Sequence, residues 1–206
     1  MVVGNLSEYA KYVCRLVPKF VTRYSLYKDE LTLHTERQHL LPLMQFLKQH
    51  QNALFTQLSD LTAVDWPERE NRFELVYNLL SYRHASRLRV KMCTNELVSI
   101  PTLTYLFSGA NWYEREVYDL FGIIFEGHPD LRRILTDYGF EGHPMRKDFP
   151  LTGYTELRYD EEKKRIVQQP LKMTQEFRNF DFLSPWEQLP EKQPQQIEES
   201  EEKLEK

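Results

Sequence analysis

Apolar residues return at helical spacing as soon as the chain begins. Leu6, Tyr9, Ala10, Val13 and Leu16 predict a first helix, with Ser7 as its N-cap and Pro18 as its stop. Two extended runs follow, Phe20 to Tyr27 and Glu30 to His34, and the pair Lys28-Asp29 between them predicts a hairpin. Leu40, Leu43, Met44 and Leu47 mark a second amphipathic helix, with Pro42 near its first turn, where proline is tolerated. A mixed apolar run from Leu54 to Val64 predicts a buried strand that gives way to a loop at Asp65-Trp66-Pro67. Clear alternation comes next. Phe73, Leu75, Tyr77 and Leu79 share one strand face; Leu88, Val90 and Met92 share another, opposite Arg87, Arg89, Lys91 and Cys93. Leu103 to Phe107 predicts a short helix broken at Ser108-Gly109. These elements predict an α+β fold, a mainly antiparallel sheet with helices on one face.

The densest signals lie between Asn111 and Leu151. A helix starts where Asn111 can cap it and Glu114, three residues on, completes a capping box. Tyr113, Val117, Leu120 and Phe121 fall on its apolar face, Arg115 and Asp119 sit at i,i+4 spacing, and Gly122 ends it in a left-handed turn. Beyond Leu151 periodicity fades. Tyr154 to Tyr159 and Arg165 to Val167 predict a hairpin around the charged turn Asp160 to Lys164. The aromatic stretch QEFRNFDFLSPW predicts an extended segment that docks on a partner or on its own domain. The expected organisation is a core domain over residues 1–125, an extended partner-docking arm over 126–186 and an acidic tail over 187–206.

Composition narrows the function classes. The chain has 206 residues, 41% hydrophobic, enough for one well-buried domain with extensions. Its net charge is −4, yet Glu187 to Lys206 alone hold seven Glu and three Lys, so the rest of the chain is neutral. A neutral body argues against charge-driven nucleic-acid binding. The basic strand Arg87-Leu88-Arg89-Val90-Lys91 lacks the aromatic platform that an RNA-binding sheet needs on the same face. Two distant cysteines, Cys14 and Cys93, define neither a disulfide framework nor a Cys-built metal site. No apolar run reaches the ~18 residues of a membrane span, and the opening MVVGNLSEYAKYVC is not expected to be a secretory signal.

Candidate chemistry concentrates in the same central stretch. Glu114 and Glu116 are acids near the helix start, but no nucleophile or orienting group accompanies them. Glu-Gly-His-Pro occurs twice, at 126–129 and 141–144, offering His128 and His143 with two glutamates as metal ligands. The bland reading is a pair of turns whose histidines hydrogen-bond backbone, because Gly and His-Pro are turn chemistry. Arg132-Arg133 and Arg146-Lys147 lack a glycine loop for phosphate and suit carboxylate partners instead.

The segment ANWYEREVYDLFGIIFEGHPDLRRILTDYGFEGHPMRKDFPLTGY closely resembles the signature of a known family. That family is a hydrophilic subunit of bacterial respiratory complex I and its thirty-kilodalton mitochondrial counterpart, known as subunit 9 where organelle-encoded. DLTAVDWP, RFELVYNLLSYR and EFRNFDFLSPWE carry the resemblance from about Leu41 to Trp186. It implies a non-catalytic core subunit in the peripheral arm of proton-pumping NADH:ubiquinone oxidoreductase. Such a subunit holds no cofactor itself; FMN, iron–sulfur clusters and ubiquinone belong to neighbouring subunits. The resemblance further implies packing against the larger 49 kDa quinone-site subunit, in a hetero-oligomer that meets the membrane only through the complex. The expected location is the matrix side of the mitochondrial inner membrane, or the cytoplasmic face of a bacterial one. It marks Glu114, Arg115, Glu116, Asp119, His128, Arg132 and Arg133, with His143, Arg146 and Lys147, as signature or docking residues rather than catalytic ones. The alternative from another class is a stand-alone metal-dependent hydrolase built on His128, His143 and nearby acids.

Overall fold

A five-stranded sheet carries the fold, in the order β1-β2-β5-β4-β3. The computed structural model describes residues 6–28, 30–176 and 178–180. The strands are β1 (Arg23–Tyr27), β2 (Glu30–Thr35), β3 (Gln57–Asp65), β4 (Phe73–Ser81) and β5 (Ser86–Thr94). Neighbours pair antiparallel except β2 and β5, which run parallel with Leu33 opposite Val90. That one parallel join links strands far apart in sequence, so no hairpin signal announces it.

Three helices, α1 (Leu6–Leu16), α2 (Arg37–Gln49) and α3 (Ala110–Phe121), complete the α+β layer. The alternation read from β4 and β5 is the core face. Phe73, Leu75, Tyr77 and Leu79 join Leu88, Val90 and Met92 in one buried cluster with Leu40, Leu43 and Leu47 of α2 and Val117 and Phe121 of α3. Each large apolar side chain so buried contributes roughly 1.5–3 kcal/mol. Two two-residue strands, β6 (Ile100–Pro101) and β7 (Phe125–Glu126), pair in parallel on either side of α3 in sequence and fix where it enters and leaves. The expected hairpin after Leu151 forms as β8 (Thr155–Asp160) and β9 (Arg165–Pro170).

Several expected boundaries move, each for a local reason. Ser7 lies inside α1 rather than before it. Helix α2 begins at Arg37, so Pro42 sits in its interior and not in its first turn. Strand β3 starts at Gln57 because Leu54 adopts a left-handed conformation, φ 45°, that ends the preceding turn. Leu103 to Phe107 is a single hydrogen-bonded turn, with the amides of Leu106 and Phe107 both donating to the Leu103 carbonyl. The N-cap of α3 is Gly109, not Asn111, and no side chain caps it. Gly122 does supply the left-handed stop, at φ 79°. Residues 177 and 181–186 of the aromatic stretch and the acidic tail lie outside the described residues.

Candidate functional site

Helix α3 is the hub of the polar chemistry. Its buried positions include Glu114, Arg115 and Asp119 beside Val117 and Phe121, so charged groups share its inward side with apolar ones. Three charged groups facing inward on a twelve-residue helix need dedicated partners, since a buried unpaired charge is costly.

Asp119 organises the loop that follows. One oxygen of its fully buried carboxylate accepts the backbone amides of Ile134, Leu135 and Thr136 at 3.2, 2.8 and 2.9 Å. The other accepts the Thr136 hydroxyl at 2.6 Å and Arg133 Nη1 at 3.3 Å. Burial pushes this carboxyl up, but the hydrogen bonds from Thr136, Leu135 and Ile134 together outweigh it and hold the group below the usual carboxylate range. Arg133 also donates to the Gly142 carbonyl at 2.9 Å, stitching 132–136 to the second Glu-Gly-His-Pro turn.

The two turns grip opposite ends of α3. His128 Nε2–H donates to the Asn111 carbonyl at 3.2 Å, while its Nδ1 accepts the Asp130 amide at 3.1 Å. His143 Nδ1–H donates to the Asp119 carbonyl at 2.9 Å, Arg146 Nε to the Phe121 carbonyl at 2.6 Å, and the Met145 amide to the Leu120 carbonyl at 3.1 Å. Carbonyls that a helix end leaves unpaired are thereby satisfied. Burial, helped by the charges of Arg146 and Arg133, lowers His143 below the ordinary imidazole value despite its bond to Asp119. Gly127 and Gly142 both need positive φ, 79° and 91°, which explains the glycine in each copy.

This geometry corrects the hydrolase reading. Both ring nitrogens of His128 and Nδ1 of His143 already serve backbone groups, and no set of three metal-ligating side chains gathers among the described residues. Glu114 is likewise not part of a capping box. Its carboxylate accepts the Thr102 hydroxyl at 2.5 Å and the Leu103 amide at 2.7 Å. Arg115 does not pair with Asp119 one turn on; its Nε donates to the Arg132 carbonyl at 3.2 Å and its guanidinium stacks 5.3 Å from the Trp112 ring. Glu116 is half-buried. Arg132 is largely exposed and pairs with the exposed Asp130 at 2.8 Å. Lys147 is exposed too, and reaches the core through its amide, which donates to Asp65 Oδ2 at 2.8 Å.

That last bond leads to a group outside the candidate site residues, although Asp65 and Arg72 lie in the DLTAVDWP and RFELVYNLLSYR stretches that carry the resemblance. Asp65 ends β3 fully inside, held by Arg72 through two bonds of 2.7 and 2.9 Å. Arg72 extends to Glu96 at 2.6 Å and Asp148 at 3.1 Å, and Glu96 in turn pairs with Arg146 at 3.5 Å. The Arg72 hydrogen bonds, foremost, hold Asp65 below the usual carboxylate range. A signal existed: Leu61, Ala63 and Asp65 fall on one face of β3, so an acid occupies an apolar register.

Comparison with known proteins reaches the same stretch. Residues 33–155 match the family described as respiratory-chain NADH dehydrogenase, 30 Kd subunit. The chain belongs to that family. It is 59% identical over 186 residues, 90% of its length, to the NADH-ubiquinone oxidoreductase 30.4 kDa subunit, mitochondrial, of Neurospora crassa, of which it spans 66%. It is also 59% identical over 184 residues to NADH-ubiquinone oxidoreductase subunit 9 of Reclinomonas americana, covering 89% of this chain and 90% of that one. Among solved structures, a chain of the membrane-bound sulfane sulfur reductase, an archaeal respiratory membrane complex, superposes with a TM-score of 0.61 at 27% identity, over 70% of this chain and 85% of that chain. The 30 kDa family match includes α3, both Glu-Gly-His-Pro turns and the Asp65–Arg72 pair; it begins upstream of Leu41, the expected start of the resemblance, and ends at residue 155, short of the expected end at Trp186.

Proposed function

We propose that this chain is a non-catalytic packing subunit of NADH:ubiquinone oxidoreductase, seated in the peripheral arm against the 49 kDa quinone-site subunit. Flavin, iron–sulfur clusters and quinone belong to its neighbours, and the complex as a whole moves electrons and protons. The setting is the matrix side of the mitochondrial inner membrane. No helix among the described residues is long and apolar enough to cross a membrane, which fits attachment through partners.

One observation carries the reading. Most of the charged and histidine side chains of the signature are turned inward to hold loops on α3, whereas large apolar side chains of the same segment point outward. Tyr138 is fully exposed, as are most of Leu151 and Tyr154, with Leu135 and Met145 more than half exposed. A loop anchored at this many points keeps a fixed outer shape, and pre-ordering lowers the cost of docking. The hairpin β8–β9 adds Leu157, Tyr159 and Ile166, all exposed, and an isolated two-stranded hairpin is only marginally stable in water.

The test replaces Tyr138 by Asp and, separately, Arg132 by Glu in the source cells. Membranes are then extracted gently and resolved by native electrophoresis with in-gel NADH oxidation. Wild-type chain should co-migrate with a large NADH-oxidising band, and the variants should incorporate less while each assembled complex turns over normally. Normal incorporation with slowed turnover would overturn the packing role.

A further inference from the structure

One buried group is not explained by holding the loop. Glu114 has no exposed surface, and among the described residues the nearest group able to carry positive charge is His128, whose Nε2 lies 4.0 Å from Oε2. Tyr77 of β4 also faces it electrostatically; its hydroxyl is buried and has no hydrogen-bond partner among the described residues. The remaining contacts come from the 102–104 turn, through the Thr102 hydroxyl and the Leu103 amide. A carboxylate so placed has hydrogen bonds but little countercharge.

The hydroxyls around it can serve two protonation states. Thr102 Oγ1 lies 2.5 Å from Glu114 Oε2, 3.0 Å from Thr104 Oγ1 and 3.2 Å from the Thr104 amide nitrogen. A threonine hydroxyl has one hydrogen to donate. If Glu114 is ionised, Thr102 donates to it and Thr104 donates to Thr102. If Glu114 is protonated, its O–H donates to Thr102, and Thr102 donates to Thr104. The same heavy-atom positions satisfy both directions.

We propose that Glu114, Thr102 and Thr104 form a buried proton-binding site, in which the two threonine hydroxyls reverse direction as the proton comes and goes. The step is a proton transfer alone: the proton leaves Glu114 for solvent, only its O–H bond breaks, and the Thr102 and Thr104 hydroxyls reverse the direction of their hydrogen bonds. Burial raises the Glu114 carboxyl from 4.5 to about 7, against the pull of the Thr102 and Leu103 hydrogen bonds. The site lies in the interior of the chain and does not depend on the docking surface.

The experiment uses the full chain. Glu side-chain carboxyls are followed by carbon-13 NMR between about pH 5 and 9, with Glu114→Gln to assign the site, and unfolding is measured over the same range for both chains. A group raised on folding gives stability that is present below its unfolded pKa and lost as pH rises through the folded one. The wild-type unfolding constant should therefore rise, relative to Glu114→Gln, by up to about tenfold per pH unit between roughly 5 and 7. Taking the difference removes His34, which burial beside Arg23 and Lys91 lowers to about 4 and whose effect has the opposite sign. One Glu carboxyl titrating near neutrality and missing from Glu114→Gln, together with that pH-dependent difference in stability, supports the site. If every Glu carboxyl of the wild-type chain titrates in the ordinary range, the proposal is overturned, whether or not the variant folds.

Discussion

His143 donates through Nδ1–H to the carbonyl oxygen of Asp119 at 2.9 Å, so the second Glu-Gly-His-Pro turn ends the very helix whose aspartate organises the first loop. Asp119 thus serves twice, its carbonyl closing the helix from below and its carboxylate gathering residues 133–136. The two histidines of the repeat act as clamps, not as ligands.

Replacing His143 or His128 by Ala should each lower stability by about 1–2 kcal/mol, the usual effect of leaving a partly buried acceptor unmet. Chelator or added zinc should leave the unfolding temperature where it was. A metal-dependent rise in that temperature, read by differential scanning fluorimetry, would contradict the clamp assignment.

Asp119→Asn should cost about 2–4 kcal/mol, because an amide puts an NH2 against donors that a carboxylate accepts. The sign of its pH dependence follows from its lowered carboxyl. Folding holds the ionised form, so the contribution is complete above the unfolded value near ~3.9 and disappears as pH falls through the lower folded value. Urea midpoints taken on acidification should fall more steeply for wild type than for the variant.

Asp65 and Arg72 should show strong coupling. The aspartate side chain is fully inside and the arginine 17% exposed. Arg72→Met leaves a buried carboxylate without its main partner and should cost about 3–5 kcal/mol. A double-mutant cycle with Asp65→Asn should return a coupling of about 1–3 kcal/mol. Strictly additive losses would mean that the pair is held apart in solution.

Gly122→Ala tests the helix end. A Cβ there falls 2.6 Å from both Arg146 Nη2 and His143 Nε2, and the backbone already sits at φ 79°. The left-handed conformation alone costs a non-glycine residue roughly 1–2 kcal/mol. Stability should fall by at least that much, and the NMR resonances of the His143 ring should shift as it is pushed from the Asp119 carbonyl.

Much of the architecture is legible one residue at a time. Alternation in Phe73 to Leu79 and Leu88 to Met92 is a consequence of two-residue strand periodicity and marks the core face correctly. The stop at Gly122 is visible because only glycine takes that φ readily. Helix starts are less legible. Asn111 and Glu114 have capping-box spacing, but burial of Glu114 gives its carboxylate better donors in Thr102 and Leu103 than the helix's own first turn.

Local spacing along the chain by itself determined the class of fold, the three helices α1 to α3, the β1–β2 and β8–β9 hairpins and the turn chemistry of both Glu-Gly-His-Pro copies, because these depend on neighbours within a few residues. Tertiary structure alone decided which charge meets which. Arg115 and Asp119 are one turn apart yet do not pair, each bonding the 132–136 loop instead, while Asp65 receives the amide of Lys147 from across the chain. Partner choice for a buried charge is set by which donors remain after water is excluded, and those donors come from elements brought together only when the sheet, α3 and the loop close on one another.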